Sequence, residues 1–188
     1  MLKELINETT DAVVAATKGV DDILDAVTGT VKSQVVNALK SSGEISNTGV
    51  EVVASVANGA IKGAGQVGVS LTDVASGTMS GVINGANEVG GDVISAIHGG
   101  AKGIMQAAAE TGGDISAVAV SAVEGAAKSA GKVGVSTAEA VKAAVGGTLD
   151  ATTSIGGDAV QKVRGALLSA AALPRDAVES ALRGSEKK

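Results

Sequence analysis

The 188-residue chain has no phenylalanine, tryptophan, tyrosine or cysteine, and only one proline and one histidine. Without aromatic side chains, the 45% of hydrophobic residues must build a thin core of valine, isoleucine, leucine and alanine, which favours a flat or elongated array over a globule. The same lack leaves nothing on which nucleic-acid bases could stack. With no cysteine there is no disulfide framework and no thiolate metal site. The formal net charge is −5 and no basic cluster occurs, so binding to nucleic acid is not expected. No charge-free apolar run reaches the roughly 18 residues that suggest a transmembrane helix. Met1 to Glu8 lacks the apolar run of a signal peptide, so the expected setting is the cytoplasm.

A 22-residue unit is written repeatedly. Val67-Gly68-Val69-Ser70, Val89-Gly90-Gly91-Asp92, Thr111-Gly112-Gly113-Asp114, Val133-Gly134-Val135-Ser136 and Ile155-Gly156-Gly157-Asp158 recur at that spacing. A degenerate copy begins at Ile45, giving six units over 45–176. A fixed period of this length marks a repeat architecture. Each opening combines a helix stop with a helix start. Gly68, Gly90, Gly112, Gly134 and Gly156 suit the left-handed C-cap that ends a helix. Ser70, Asp92, Asp114, Ser136 and Asp158 follow as N-caps, offering a side-chain oxygen to the unpaired N–H groups of the next helix. These junctions predict helices near 70–87, 92–110, 114–131, 136–153 and 158–172.

Inside a unit the apolar residues recur with a helical period; Val89, Val93, Ile97, Ala101, Ile104 and Ala108 mark one face. Six turns in 22 residues match the eleven-residue helical repeat. A second stripe falls at the eleventh, fifteenth and nineteenth positions, where the side chains are small. It contains Gly59, Gly63, Gly77, Gly81, Gly85, Gly99, Gly103, Gly125 and Gly147. A glycine inside a helix costs about 1 kcal/mol relative to alanine. Its recurrence in one phase predicts that another helix backbone lies in the groove.

The ends differ from the middle. Residues 1–42 contain only Gly19 and Gly29, and they predict amphipathic helices near 2–18 and 21–41 as an atypical terminal segment. Residues 46–66 carry valines suited to a strand, but their alignment with later units predicts a helix. Pro174 opens a short helix over 174–183, and 177–188 form the closing helix end and tail. The fold class expected is therefore all-α, tandem 22-residue helical repeats in a zigzag layered or solenoid-like array.

Chemistry-bearing patterns are scarce. His98 occupies a position held in other units by Ala54, Val120, Lys142 and Arg164, and a single histidine falls short of a ligand set. The glycine pairs precede acidic residues, with no Gly-Lys-Ser/Thr after them, so they do not form a phosphate loop. One carboxylate per junction is too few for calcium. The expectation is a non-enzyme with no cofactor and no metal.

The eleven-residue period, and the Val, Ala, Gly, Thr and Lys vocabulary of stretches such as Lys18 to Lys40 and Glu124 to Lys142, resemble the lipid-surface helices of synucleins, perilipins and exchangeable apolipoproteins. The alanine-rich amphipathic helices are similar to those of bacterial phasins. The resemblance implies a peripheral coat on lipid or storage granules. The residues themselves favour a structural protein that partners with itself, self-assembling through Gly/Ala-lined faces into a filament, sheath or layer.

Overall fold

Residues 1–17, 23–42 and 47–185 are described by the structure, a computed structural model. Among them are nine α-helices and no strand. They are α1 (Leu2–Thr17), α2 (Ile23–Ser42), α3 (Asn47–Gln66), α4 (Leu71–Glu88), α5 (Val93–Glu110), α6 (Ile115–Ala130), α7 (Thr137–Ile155), α8 (Gly157–Ser169) and α9 (Arg175–Ser185). A 3₁₀ turn, Gly131–Val133, closes α6. The valine-rich stretch with strand-like character is helical in α3. The expected junction at Lys18-Gly19-Val20-Asp21, the start of the degenerate unit at Ile45-Ser46 and the end of the tail lie outside the described residues.

Consecutive helices run antiparallel, and each helix packs most extensively against a helix two places away in the chain, before or after it. Odd-numbered helices therefore form one layer and even-numbered helices the other. Within a layer the neighbours run parallel. On α4, the sites of Gly77, Gly81 and Gly85 approach Leu24, Val31 and Val35 of α2 in turn, both sets of numbers rising together.

Between the layers lies one continuous apolar core that runs from Val13 in α1 to Leu182 in α9. The N-terminal helices share it with the repeats. The amphipathic face read from the third unit lines this core: Ile97, Ala101, Ile104 and Ala108 are fully buried, and Val93 nearly so. Met79 and Met105 are also fully buried. Their unbranched thioether chains fill irregular space that branched residues would leave open. Among the described residues the exposed large apolar side chains are few: Met1, Leu2, Leu24, Ile155 and Leu168.

Candidate functional site

The feature repeated most often in this fold is the seam between parallel neighbours in one layer. It is built on the nine glycines of the small-residue stripe. A Cβ at Gly59 would stand 2.8 Å from the Thr9 side chain of α1, and one at Gly63 would stand 2.9 Å from the Thr10 carbonyl oxygen. At Gly81 and Gly85 the carbonyl oxygens of Thr28 and Lys32 lie at 2.7 and 2.9 Å. Gly77 is looser, with the Thr28 hydroxyl at 3.2 Å. Gly125 meets the Ser76 carbonyl at 2.8 Å, and Gly99 meets that of Val50. Gly103 and Gly147 are the tightest, against the carbonyls of Ala54 and His98. Real Cβ atoms essentially never approach this closely. Glycine allows two helix backbones to touch, which gives each helix dispersion contacts and Cα–H···O contacts along its length.

All nine glycine sites are filled by helices of the same chain. The groove expected to receive a helix is thus used internally, and in α3 to α7 it is not available to another molecule.

Hydroxyl groups exploit the smooth seam. Thr10 Oγ1 donates to the Gly59 carbonyl at 3.1 Å and Thr28 Oγ1 to that of Gly77 at 3.2 Å. Ser80 and Ser129 share a hydrogen bond of 2.7 Å between α4 and α6. These partners are 49 residues apart, whereas equivalent positions in α4 and α6 are two units, 44 residues, apart. The difference of five residues is an axial stagger of about 7.5 Å between neighbours. Three ion pairs and a histidine–aspartate contact stitch the rim of the same seams. Lys32–Glu88 and Lys62–Glu110 close at 2.6 Å, Lys102–Glu51 at 2.8 Å, and His98 Nε2 approaches Asp150 at 3.1 Å. Lys32, through its hydrogen bond and its charge, holds the Glu88 carboxyl below the usual carboxylate range. Being solvated, such pairs set register more than stability.

The junctions repeat with one departure. Gly68, Gly90, Gly112 and Gly134 take φ between 68° and 78°. At each, the N–H of the following residue closes the six-to-one bond of a Schellman motif, as Gly91 N–H does to the Ala86 carbonyl at 2.8 Å. Asp92 accepts from the N–H groups of Ile94 and Ser95 at 3.0 and 3.1 Å and from the Ser95 hydroxyl at 2.7 Å. These bonds, led by the Ser95 hydroxyl, lower the Asp92 pKa. Asp114 caps α6 through Ser116 and Ala117, and Ser70 caps α4 with a long bond to Asp73 N–H at 3.5 Å.

Ser136 stands at the N-cap position of α7 but its side chain makes no capping bond. Asp158 is not an N-cap: α7 runs on to Ile155, Gly156 takes that place, and Asp158 falls in the first turn of α8. Gly156 has φ 134° and ψ 163°; its N–H reaches back to the Thr152 carbonyl, and its own carbonyl accepts from Ala159 N–H at 3.1 Å. It is not the left-handed cap expected. The neighbouring packing explains the change. The unit's fifteenth residue is Ser169 in place of glycine, and nothing lies within 4 Å of a Cβ at Gly165. Without a close seam, α8 is free of the register imposed on the earlier helices.

Several buried polar groups escaped the sequence reading. Thr78 and Thr148 are fully buried and Asn58 nearly so, and Thr78 Oγ1, Thr148 Oγ1 and Asn58 Oδ1 have no hydrogen-bond partner. They lie on three different helices, α3, α4 and α7. Among the described residues no group of three or more His, Asp or Glu side chains is placed to hold a metal ion. No helix there is long and apolar enough to cross a membrane.

Fold and seams together define a class: an all-α, two-layer bundle of antiparallel helices with glycine-lined contacts between parallel neighbours. No protein-family model matches the chain, and no curated protein matches it.

Proposed function

We propose that the chain is a non-enzymatic structural protein, a tandem array of 22-residue helical units that associates with copies of itself into a filament, sheath or layer. The observation that carries this reading is the recurrence of one seam. The α3/α5, α4/α6 and α5/α7 pairs all place a glycine against a backbone carbonyl 49 residues earlier, as Gly103 on Ala54, Gly125 on Ser76 and Gly147 on His98 illustrate. A layer made by repeating one contact has no internal reason to stop. Its two ends are α1–α2 and α8–α9, and each carries part of the little exposed apolar surface: Met1 and Leu2 at one end, Leu168 at the other.

A lipid- or granule-coating role would require the two layers to separate, since the apolar faces that would meet lipid are buried against each other. The two readings separate in one experiment. Light scattering and negative-stain microscopy are run over a range of protein concentrations, with flotation on phosphatidylcholine vesicles alongside. Concentration-dependent growth into regular assemblies without lipid is expected. A chain that stays monomeric at every concentration and floats with the vesicles would overturn the structural reading in favour of the coat.

A further inference from the structure

The junction between α7 and α8 is built unlike the others. Four residues separate α3 from α4, α4 from α5 and α5 from α6, whereas Gly156 alone separates Ile155 at the end of α7 from Gly157 at the start of α8. Gly156 stands at φ 134° and ψ 163°, a region of backbone space open essentially to glycine alone. No six-to-one bond closes α7 there, and no side chain caps α8. Bringing this one residue to helical φ and ψ would join the two elements into a single helix over 137–169, about 50 Å long. The carbonyls at the end of α7 and the N–H groups at the start of α8 would then pair along that helix.

The contact that holds α8 in place is slight. Of all the parallel neighbours, α6 and α8 pack least extensively, and nothing lies within 4 Å of a Cβ at Gly165. A shallow groove of about 490 Å³ remains between them, lined by Val120 and Ser121 of α6, by Ala166 and Ser169 of α8 and by Ala170 just beyond it. Straightening the junction would carry α8 and α9 off α6 and α7. It would also bare Val163, Leu167, Val178 and Leu182, all buried in this structure. Apolar side chains released in this way are driven back out of water, and a second copy of the chain carries the surface that fits them.

We propose that α8 and α9 exchange between two copies of this chain about Gly156, each pair seating on α6 and α7 of the other copy. The directions agree. Within one chain α8 runs parallel to α6, away from the end of the bundle at which α7 finishes. A second copy inverted on that end receives the straightened α8 parallel to its own α6, and a two-fold axis beside Gly156 relates the copies. The contacts that α8 and α9 make within one chain are then rebuilt between two, reciprocally, and the exchange closes in a dimer. It goes beyond the open-ended growth proposed above and does not depend on it.

The test uses the full chain. Gly156→Ala disfavours the turn and favours a helix through it, so in sedimentation velocity the dimer should form at a concentration at least about tenfold lower than for the wild type. Gly112→Ala is the control: it strains a positive-φ glycine at a four-residue junction and should leave the balance of monomer and dimer as in the wild type. Ser121→Cys and Ala170→Cys, each placed in a separate Gly156→Ala chain, report where α8 sits. A short bismaleimide should join the mixed chains into a product of twice 18.0 kDa, and neither chain alone should give that product. No rise in dimer for Gly156→Ala overturns the exchange. So does an equal rise for Gly112→Ala, or a dimer whose mixed chains cross-link no more than each chain does alone.

Discussion

Replacing Gly103 by alanine tests whether the glycine stripe exists to let backbones touch. In an isolated helix the change would stabilise, because alanine exceeds glycine in helix propensity by about 1 kcal/mol. In this fold the new methyl group would meet the Ala54 carbonyl oxygen, with the carbonyl carbon at 2.7 Å and the Cα at 2.8 Å. Those are backbone atoms of α3, and they cannot rotate aside as the end of a side chain could. The two helices must separate, which loosens the neighbouring contact at Gly99 as well. Overpacking of this kind costs roughly 1–3 kcal/mol, and the rigidity of both partners places Gly103 in the upper half of that range. After the propensity gain, a net loss of about 1–2 kcal/mol remains, or about 2–8 °C in Tm for a domain of this size. Gly29→Ala is the internal control, since nothing lies within 4 Å of its Cβ. It should raise Tm by about 1–4 °C through propensity alone. Thermal and urea unfolding followed by circular dichroism at 222 nm would measure both. A Gly103→Ala protein as stable as Gly29→Ala would refute the backbone-contact explanation of the stripe.

The caps make two further predictions. Asp92→Ala should lower stability by about 1 kcal/mol and Asp92→Asn should be nearly neutral at pH 7, whereas Asp158→Ala should change little, because Asp158 lies within the first turn of α8. The Asp92 pKa is lowered by folding, so its contribution is full above the unfolded value of about 3.9 and fades as pH falls through the lower folded value. Urea midpoints of wild type and Asp92→Asn measured between pH 7 and pH 2 should therefore diverge only in the acid range, with the wild type losing more. Gly112, at φ 72°, should tolerate Asn better than Ala; alanine there costs about 1–2 kcal/mol through left-handed strain, and equal stability of the two variants would argue against a required positive φ.

Much of the fold is legible in the sequence because the repeat signals its own boundaries. The glycine and the capping residue of each opening mark where one helix ends and the next begins, and α4, α5 and α6 start within one residue of the predicted positions. The apolar period identifies the face that lines the core, and the small-residue stripe identifies the close seam. The partner across that seam is not legible. A periodic sequence offers the same face in every unit, so the stripe alone does not distinguish a contact with the next helix, with the one after it, or with another molecule. Antiparallel turns put the next helix in the opposite layer and leave the seam to its parallel neighbour. The last junction misleads for a related reason. Ile155-Gly156-Gly157-Asp158 repeats the Gly-Gly-Asp of Val89-Gly90-Gly91-Asp92, but α8 makes no close seam at Gly165, where nothing lies within 4 Å of a Cβ, so this unit is not held in the register of the earlier ones. Thr148 stands two units beyond Ile104, so the apolar period does mark its place for the core, whereas Thr78 and Asn58 fall outside the six apolar positions and give no such signal.

The pairing of alternate helices is tested most directly by cross-linking, for which a cysteine-free chain is a clean background. Ser80 of α4 and Ser129 of α6 have their hydroxyl oxygens 2.7 Å apart. A double variant with cysteine at both positions should form an intramolecular disulfide under mild oxidation, visible as a mobility shift on a non-reducing gel at the mass of one chain. Cysteines at Ser80 and Lys102 provide the comparison, since α5 lies in the opposite layer and Lys102 reaches Glu51 of α3. Rapid closure of the 80–129 pair with no closure of the 80–102 pair is the predicted result. Closure of the 80–102 pair in its place would contradict the two-layer arrangement.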